Sequence, residues 1–268
     1  MYLAHFGFRE MPFNITPDPR FLYLSPSHRE ALEHLRYGVE EKKGFIVLTG
    51  EVGCGKTTLC RKLLSELDPK RYDTALILNP RLSETQLVKA ILTELGDTGP
   101  MKSRVEMTDS LNRLLLDRVK AGREVVLIID ESQNLDYATI EHLRMLSNLE
   151  TDTQKLLQIV LIGQPELKTM LKEARLRQLR QRVQVYYDLR PLSFPETRAY
   201  IRHRIREAAG RDRPEFSFFA LLAIHRTSRG LPRDINKLCD KALLAAYVRG
   251  GKEVVYGDVR RARKESAL

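Results

Sequence analysis

Apolar residues along this chain fall into two alternating patterns, and the alternation predicts the architecture. Five short runs are rich in apolar and β-branched residues: 45–49 (Phe-Ile-Val-Leu-Thr), 72–78, 125–129 (Val-Val-Leu-Ile-Ile), 156–162 and 183–187. Runs of that length predict strands, and 125–129, apolar on both faces, reads as a central strand of a parallel sheet. Between them lie segments with apolar residues three and four apart, the spacing of one helix face. They predict helices over 27–41, 58–67, 83–95, 104–121 and 137–150, with two short helices over 166–181. Strands alternating with helices give an α/β fold, a doubly wound and mostly parallel five-stranded sheet whose ligands bind at the strands' carboxyl ends.

The pattern changes at both ends. From Pro191 onward it is purely helical, over 195–209, 215–225, 233–248 and 257–265, which predicts a small all-helical domain. Residues 1–25 are aromatic and proline-rich (Phe6, Phe8, Pro12, Phe13, Pro17, Pro19, Phe21, Tyr23). They are too apolar for a free tail and too proline-rich for a regular helix. The expectation is three parts: an extended segment, 1–25, docked on the core; a nucleotide-binding domain, 26–190; and a helical lid, 191–268. Asn79-Pro80 closes the second strand, and 96–100 form a loop.

Composition narrows the class. A chain of 268 residues with 43% hydrophobic and 30% charged residues buries a full core. No apolar run approaches the ~18 residues of a membrane span, and the first residues lack a basic-then-apolar leader, so a cytoplasmic protein without a direct membrane span is expected. Cys54, Cys60 and Cys239 form neither a disulfide framework nor a metal-ligand spacing and read as small packing residues. The net charge is +10, and residues 190–268 hold 18 Lys and Arg against 9 Asp and Glu. A basic region of this kind suits either a polyanion such as duplex DNA or a solvated face that serves nucleotide and subunit contacts. Aromatic interleaving for stacking single strands is weak.

The candidate chemistry sits at the strand ends. Gly50-Glu51-Val52-Gly53-Cys54-Gly55-Lys56-Thr57 follows the first strand and is a complete G-x-x-x-x-G-K-T loop, with Thr58 opening the next helix. Its glycines let backbone N–H groups converge on phosphate oxygens. Lys56 would place its ammonium on the β- and γ-phosphates of a nucleoside triphosphate, and Thr57 would ligate Mg²⁺. Asp130-Glu131 closes the third strand: Asp130 suits the Mg²⁺ shell, and Glu131 suits the general base that takes a proton from, or orients, the attacking water. Gln164, after the fourth strand, is the candidate polar sensor, with Gln133 and Asn134 as rivals. Arg182, then Arg180, is the candidate finger for a neighbouring subunit's γ-phosphate, and Arg177 belongs to the same group. Arg233, after Gly230-Leu231-Pro232, opens a helix of the second region and is placed to reach the γ-phosphate.

This order of motifs resembles the AAA+ superfamily of ATPases. The opening Phe6-Gly7-Phe8, Met11-Pro12-Phe13, Pro17-Asp18-Pro19-Arg20-Phe21-Leu22-Tyr23 and His28-Arg29-Glu30-Ala31-Leu32, with Gly50-Glu51-Val52-Gly53 and Gly163-Gln164-Pro165-Glu166-Leu167, is similar to the ExeA/GspA family over nearly the whole chain. Those ATPases are associated with type II secretion, and the related MshM-like proteins with mannose-sensitive haemagglutinin pili. The resemblance implies ATP and Mg²⁺ as ligands and hydrolysis to ADP and phosphate within a homo-oligomeric ring or filament. It also implies a membrane-embedded secretion or pilus partner that holds the protein peripherally at the inner membrane. ExeA-type proteins continue into a transmembrane helix and a peptidoglycan-binding domain, so these residues are expected to act as an MshM-like or stand-alone ATPase. Gln164 replaces the asparagine commonest at the AAA+ sensor position. The same ATPases are similar to the transposition regulators TnsC, TniB and MuB, so a DNA-binding ATP switch is one alternative and a nucleotide-gated adaptor another.

Overall fold

In the computed structural model, residues 2–14, 19–78, 80–99, 103–150, 155–209 and 214–266 are described. Pro17 and Asp18 of the opening signature, Asn79 and Pro100 lie outside them. In chain order the elements are α1 (Tyr2–His5), α2 (Pro26–Glu40), β1 (Phe45–Gly50), α3 (Lys56–Glu66), β2 (Tyr72–Ile77), α4 (Glu84–Glu94) and α5 (Arg104–Lys120). Next come β3 (Glu124–Ile129), α6 (Tyr137–Leu146), β4 (Leu157–Gly163), α7 (Pro165–Leu171), α8 (Arg177–Arg180) and β5 (Val183–Leu189). The chain ends with α9 (Phe194–Ala208), β6 (Glu215–Phe216), α10 (Phe218–Ser228), α11 (Pro232–Val248), β7 (Glu253–Val254) and α12 (Tyr256–Ser266). Short 3-10 turns occupy Pro19–Phe21, Ser132–Asn134 and Ala174–Leu176.

The chain divides into two compact units. One unit holds residues 30–50 and 59–189, and its centre is a sheet in the order β2-β3-β4-β1-β5 with every pairing parallel. Burial follows the pattern of the sequence. Every residue of β1 and β4 is buried and β3 is buried beyond Glu124, whereas the edge strands β2 and β5 alternate. One apolar core, from Phe45 and Val47 through Ile91, Leu111, Leu127, Ile140 and Leu161 to Leu179, fills this unit. The buried Gln158 of β4 accepts the Gly44 amide at 2.9 Å. Strands β3 and β4 are neighbours in register, Ile129 opposite Leu161, so the residues that follow them emerge side by side.

The other unit gathers residues 1–29, 51–58 and 190–268. Its separate core joins Phe6, Phe8, Phe13 and Phe21 to Tyr200, Ile201, Ile224, Leu238, Leu243 and Val259. Arg204, on α9, is buried and donates to the Pro12 carbonyl at 2.6 Å, the Asn14 carbonyl at 3.0 Å and the Tyr200 hydroxyl at 3.0 Å. A guanidinium with acceptors on three sides tolerates burial, and here it ties the opening segment to the C-terminal helices.

Several expectations are corrected. The opening segment is not wholly extended and packs among the C-terminal helices: Tyr2–His5, free of proline, forms a helical turn. The region after Pro191 is not purely helical, because Glu215–Phe216 pairs in parallel with Glu253–Val254. The helix expected from Glu215 starts at Phe218, where the Ser217 hydroxyl accepts the Ala220 amide and fixes the boundary. The helix expected to reach Glu150 ends at Leu146, where Ser147 turns its hydroxyl back onto the Arg144 carbonyl. Helix α3 begins at Lys56, two residues before the expected start, so Lys56 and Thr57 form its first turn.

Candidate functional site

In the unit that contains 51–58, the phosphate-binding loop is shaped by two glycines in left-handed conformations, Gly53 (φ 79°) and Gly55 (φ 106°). Both positions are also crowded. A Cβ on Gly53 would lie 2.6 Å from Arg233 Cβ, and one on Gly55 3.0 Å from His28 Nε2. Three loop carbonyls have named donors. Glu51 O accepts the Cys54 amide at 3.2 Å and Lys56 Nζ at 3.0 Å, Gly53 O accepts the Arg233 amide at 3.2 Å, and Cys54 O accepts His28 Nε2 at 2.9 Å. The structure therefore brings Arg233, the second residue of α11, onto the loop. Gly230 makes this possible: at φ 77° it approaches so closely that a Cβ would stand 2.0 Å from the Leu192 carbonyl oxygen. Lys56 is 6% exposed at the first position of α3. Val52 is 48% exposed and Glu51 is exposed, whereas Cys54 is buried.

His28 was named in the sequence only as part of the opening signature, and nothing there assigned it to the loop. It is buried, and its Nδ1 lies 2.7 Å from Ser25 Oγ. Burial pushes its pKa down, partly offset by the Cys54 contact, so the ring is neutral. A carbonyl only accepts, which fixes the proton on Nε2 and makes Nδ1 the acceptor for the Ser25 hydroxyl.

In the unit that contains the sheet, the acidic pair is held at the ends of β3 and β4. Asp130 is 3% exposed; its amide donates to Ile77 O at 2.9 Å and its Oδ1 accepts the Glu131 amide at 2.9 Å. Glu131 is left-handed, φ 53° and ψ 35°. That conformation costs a residue with a Cβ about 1–2 kcal/mol, a strain typical of functional positions. Its carboxylate accepts Gln133 Nε2 at 2.6 Å and Gln164 Nε2 at 2.9 Å on the same oxygen, Oε2. Gln133 Oε1 in turn accepts the Gln164 amide at 3.0 Å. Gly163 lets the two glutamines meet, since a Cβ there would stand 3.1 Å from Gln133 Oε1 and 2.7 Å from Leu167. The candidate base and the candidate sensor thus touch. Gln133 joins them rather than competing with Gln164, while Asn134 makes a backbone turn to Glu131 O.

The arginines separate. Arg182 is half-buried, and its Nη1 donates to Ser147 Oγ at 2.9 Å within its own unit. Arg180 and Arg177 are exposed, and Arg180 Nη1 meets the Lys172 carbonyl at 2.9 Å. A second polar group went unread in the sequence. Thr49, buried at the end of β1, donates to Asp188 Oδ1 at 2.9 Å and lies 2.7 Å from the Tyr186 hydroxyl, while Lys168 pairs with Asp188 at 2.8 Å. The signal was one acidic residue closing the alternating run of β5.

The donor set fits a nucleoside phosphate with Mg²⁺. Thr57 and Asp130 offer hard oxygens, and no cluster of three His, Cys, Asp or Glu able to cage a metal occurs among the described residues. All three cysteines are buried and free, and burial raises each thiol pKa, that of Cys60 to about 12, so they pack rather than react. No helix of the described residues is long and apolar enough to cross a membrane.

Comparison with known proteins identifies the family and the fold. Residues 39–171 match the family described as "AAA domain". The chain is 47% identical over 266 residues to general secretion pathway protein A of Aeromonas hydrophila, a match that covers 99% of this chain and 48% of that protein. The chain thus spans about half the length of that curated relative. Among solved structures, Drosophila ORC bound to DNA superposes with a TM-score of 0.71 at 17% identity, covering 96% of this chain and 64% of that one. The Aeropyrum pernix ORC1 protein in complex with DNA gives 0.68 at 18%, covering 97% and 70%. The Thermotoga maritima RuvB Holliday junction branch migration motor gives 0.59 at 20%, covering 92% and 73%. At such identities these three establish the fold alone, and the sheet order and helical C-terminal region agree with it. With the phosphate loop, the acidic pair and near-complete alignment to one relative taken together, the chain belongs to the ExeA/GspA-like family of AAA+ ATPases.

Proposed function

We propose that the chain is a Mg²⁺-dependent ATPase that hydrolyses ATP to ADP and phosphate in a homo-oligomer. The observation that carries this reading is Glu131, strained at φ 53° and gripped by the amides of Gln133 and Gln164. The two amides fix the direction of the carboxylate that takes the water proton. Lys56 and the N–H groups of 51–58 bind the β- and γ-phosphates. Thr57 and Asp130 hold Mg²⁺, which neutralises phosphate charge. Arg233, lying on Gly53, senses the γ-phosphate from the helical lid, 191–268. An arginine of 177–182 serves a neighbouring subunit. The exposed Arg180 suits that role better than the half-buried Arg182.

For the pathway, 47% identity to general secretion pathway protein A supports assembly or timing of an envelope secretion or pilus system through a membrane partner. One observation favours a second reading, an ATP-dependent switch on duplex DNA. Arg198, Arg202 and Arg206 are exposed at four-residue steps along one face of α9. Steady-state ATP hydrolysis with and without duplex DNA, with Glu131→Gln as blank, tests both. Glu131-dependent turnover indifferent to DNA supports the secretion reading. Stimulation lost as salt rises supports the switch, and hydrolysis unaffected by Glu131→Gln overturns the catalytic assignment.

A further inference from the structure

His28 approaches the loop at a peptide bond that precedes a glycine and is therefore able to turn over. Within a trans peptide, C=O and N–H point in opposite directions, so the Cys54 carbonyl and the Gly55 N–H occupy opposite sides of one plane. The Cys54 carbonyl points at His28 Nε2, 2.9 Å away, which sends the Gly55 N–H to the other side. Because Gly55 lacks a Cβ and sits at φ 106°, no side chain resists rotation of this plane. A half-turn would exchange donor for acceptor and face a carbonyl lone pair toward an anion. An anion-binding loop needs every such N–H aligned beforehand, and the cost of aligning them is otherwise taken from affinity.

We propose that His28, seated on Ser25, is a positioning residue that locks the Cys54–Gly55 peptide with its N–H presented to phosphate. The inference rests on the phosphate-loop reading. Three features support it beyond ordinary core packing. Nε2 donates directly to the Cys54 carbonyl at 2.9 Å. Ser25 Oγ, at 2.7 Å from Nδ1 and 3.3 Å from the His28 amide, fixes both ring position and tautomer. Gly55 lies so close that a Cβ would stand 3.0 Å from Nε2, so the ring and the missing side chain are complementary. His28 stands in the first turn of α2 and Ser25 just before that helix, so phosphate affinity is thereby tied to the start of α2.

The test is titration of a fluorescent ADP analogue, then its displacement by inorganic pyrophosphate, on the full chain and four variants with thermal melts alongside. His28→Phe keeps the ring packing and removes the donor; His28→Gln restores an N–H at similar reach. Loss of one hydrogen bond that holds a charged ligand's site predicts roughly ten- to a hundredfold weaker binding for His28→Phe. His28→Gln should recover most of it, and Ser25→Ala should lose only a few-fold. The pyrophosphate displacement constant should rise by the same factor, because the lock acts on phosphate and not on the base. A folded His28→Phe that binds like wild type, while Lys56→Ala does not bind, overturns the lock and leaves the loop reading intact. So does a deficit confined to the ADP analogue and absent for pyrophosphate. Normal binding by Lys56→Ala overturns the loop reading itself, and the lock with it.

Discussion

The phosphate loop and the acidic pair organise polar groups by opposite means. The loop is a backbone device: Gly53 and Gly55 take conformations other residues avoid, and donors from Cys54, Lys56, Arg233 and His28 occupy the carbonyls of Glu51, Gly53 and Cys54. The acidic pair is a side-chain device: Glu131 takes an unfavourable conformation without being glycine, and Gln133 and Gln164 hold its carboxylate. Glycine accepts the left-handed region freely, whereas glutamate keeps it only when surrounding bonds over-determine it. The first device would recognise a ligand with groups every residue has. The second positions one particular functional group and bears a local energetic cost for it.

The largest expected effect breaks the backbone device. Lys56→Ala removes a buried ammonium on the Glu51 carbonyl, and nucleotide affinity measured by fluorescence should fall by roughly a hundredfold or more. Next, Glu131→Gln should lower kcat by about 10²- to 10⁴-fold and leave affinity nearly unchanged; a parallel loss of affinity would show that the two devices are not separable in this way. Gln164→Ala and Gln133→Ala should each lower kcat by roughly tenfold. In a double-mutant cycle their effects should fall short of additivity, because the two amides share Glu131 Oε2 and bond to each other. The smallest effect concerns strain. Glu131→Gly should abolish turnover yet stabilise the fold by about 1 kcal/mol, a rise of about 2 °C in Tm. A fall in Tm would mean that the two glutamine contacts outweigh the backbone cost.

The two devices were unequally legible. The loop was readable as a string because its chemistry needs glycines, a lysine and a threonine at fixed offsets between a strand and a helix. The seat of Ser25 and His28 on it was not, since they are far from it along the chain, whereas Arg233 was readable after Gly230-Leu231-Pro232. Asp130 and Glu131 were legible as acids closing a buried strand. That Gln133 and Gln164 act on one oxygen, and that Arg182 is engaged by Ser147, depends on strand order and register, which periodicity does not encode. Boundaries slipped where a serine intervened: Ser217 and Ser147 stop or start helices by bonds weaker than the apolar spacing that suggested otherwise.

By itself the sequence determined the parallel α/β fold, the phosphate loop and the acidic pair, because burial periodicity and phosphate chemistry act over a few neighbouring residues. Tertiary structure alone decided the strand order β2-β3-β4-β1-β5 and the pairing of Glu131 with two glutamines. It also decided the seat of His28 on the loop and the union of the opening segment with the C-terminal helices. Those outcomes depend on which distant surfaces bury each other best, and a hydrogen bond between such surfaces is fixed only once packing has brought them within 3 Å.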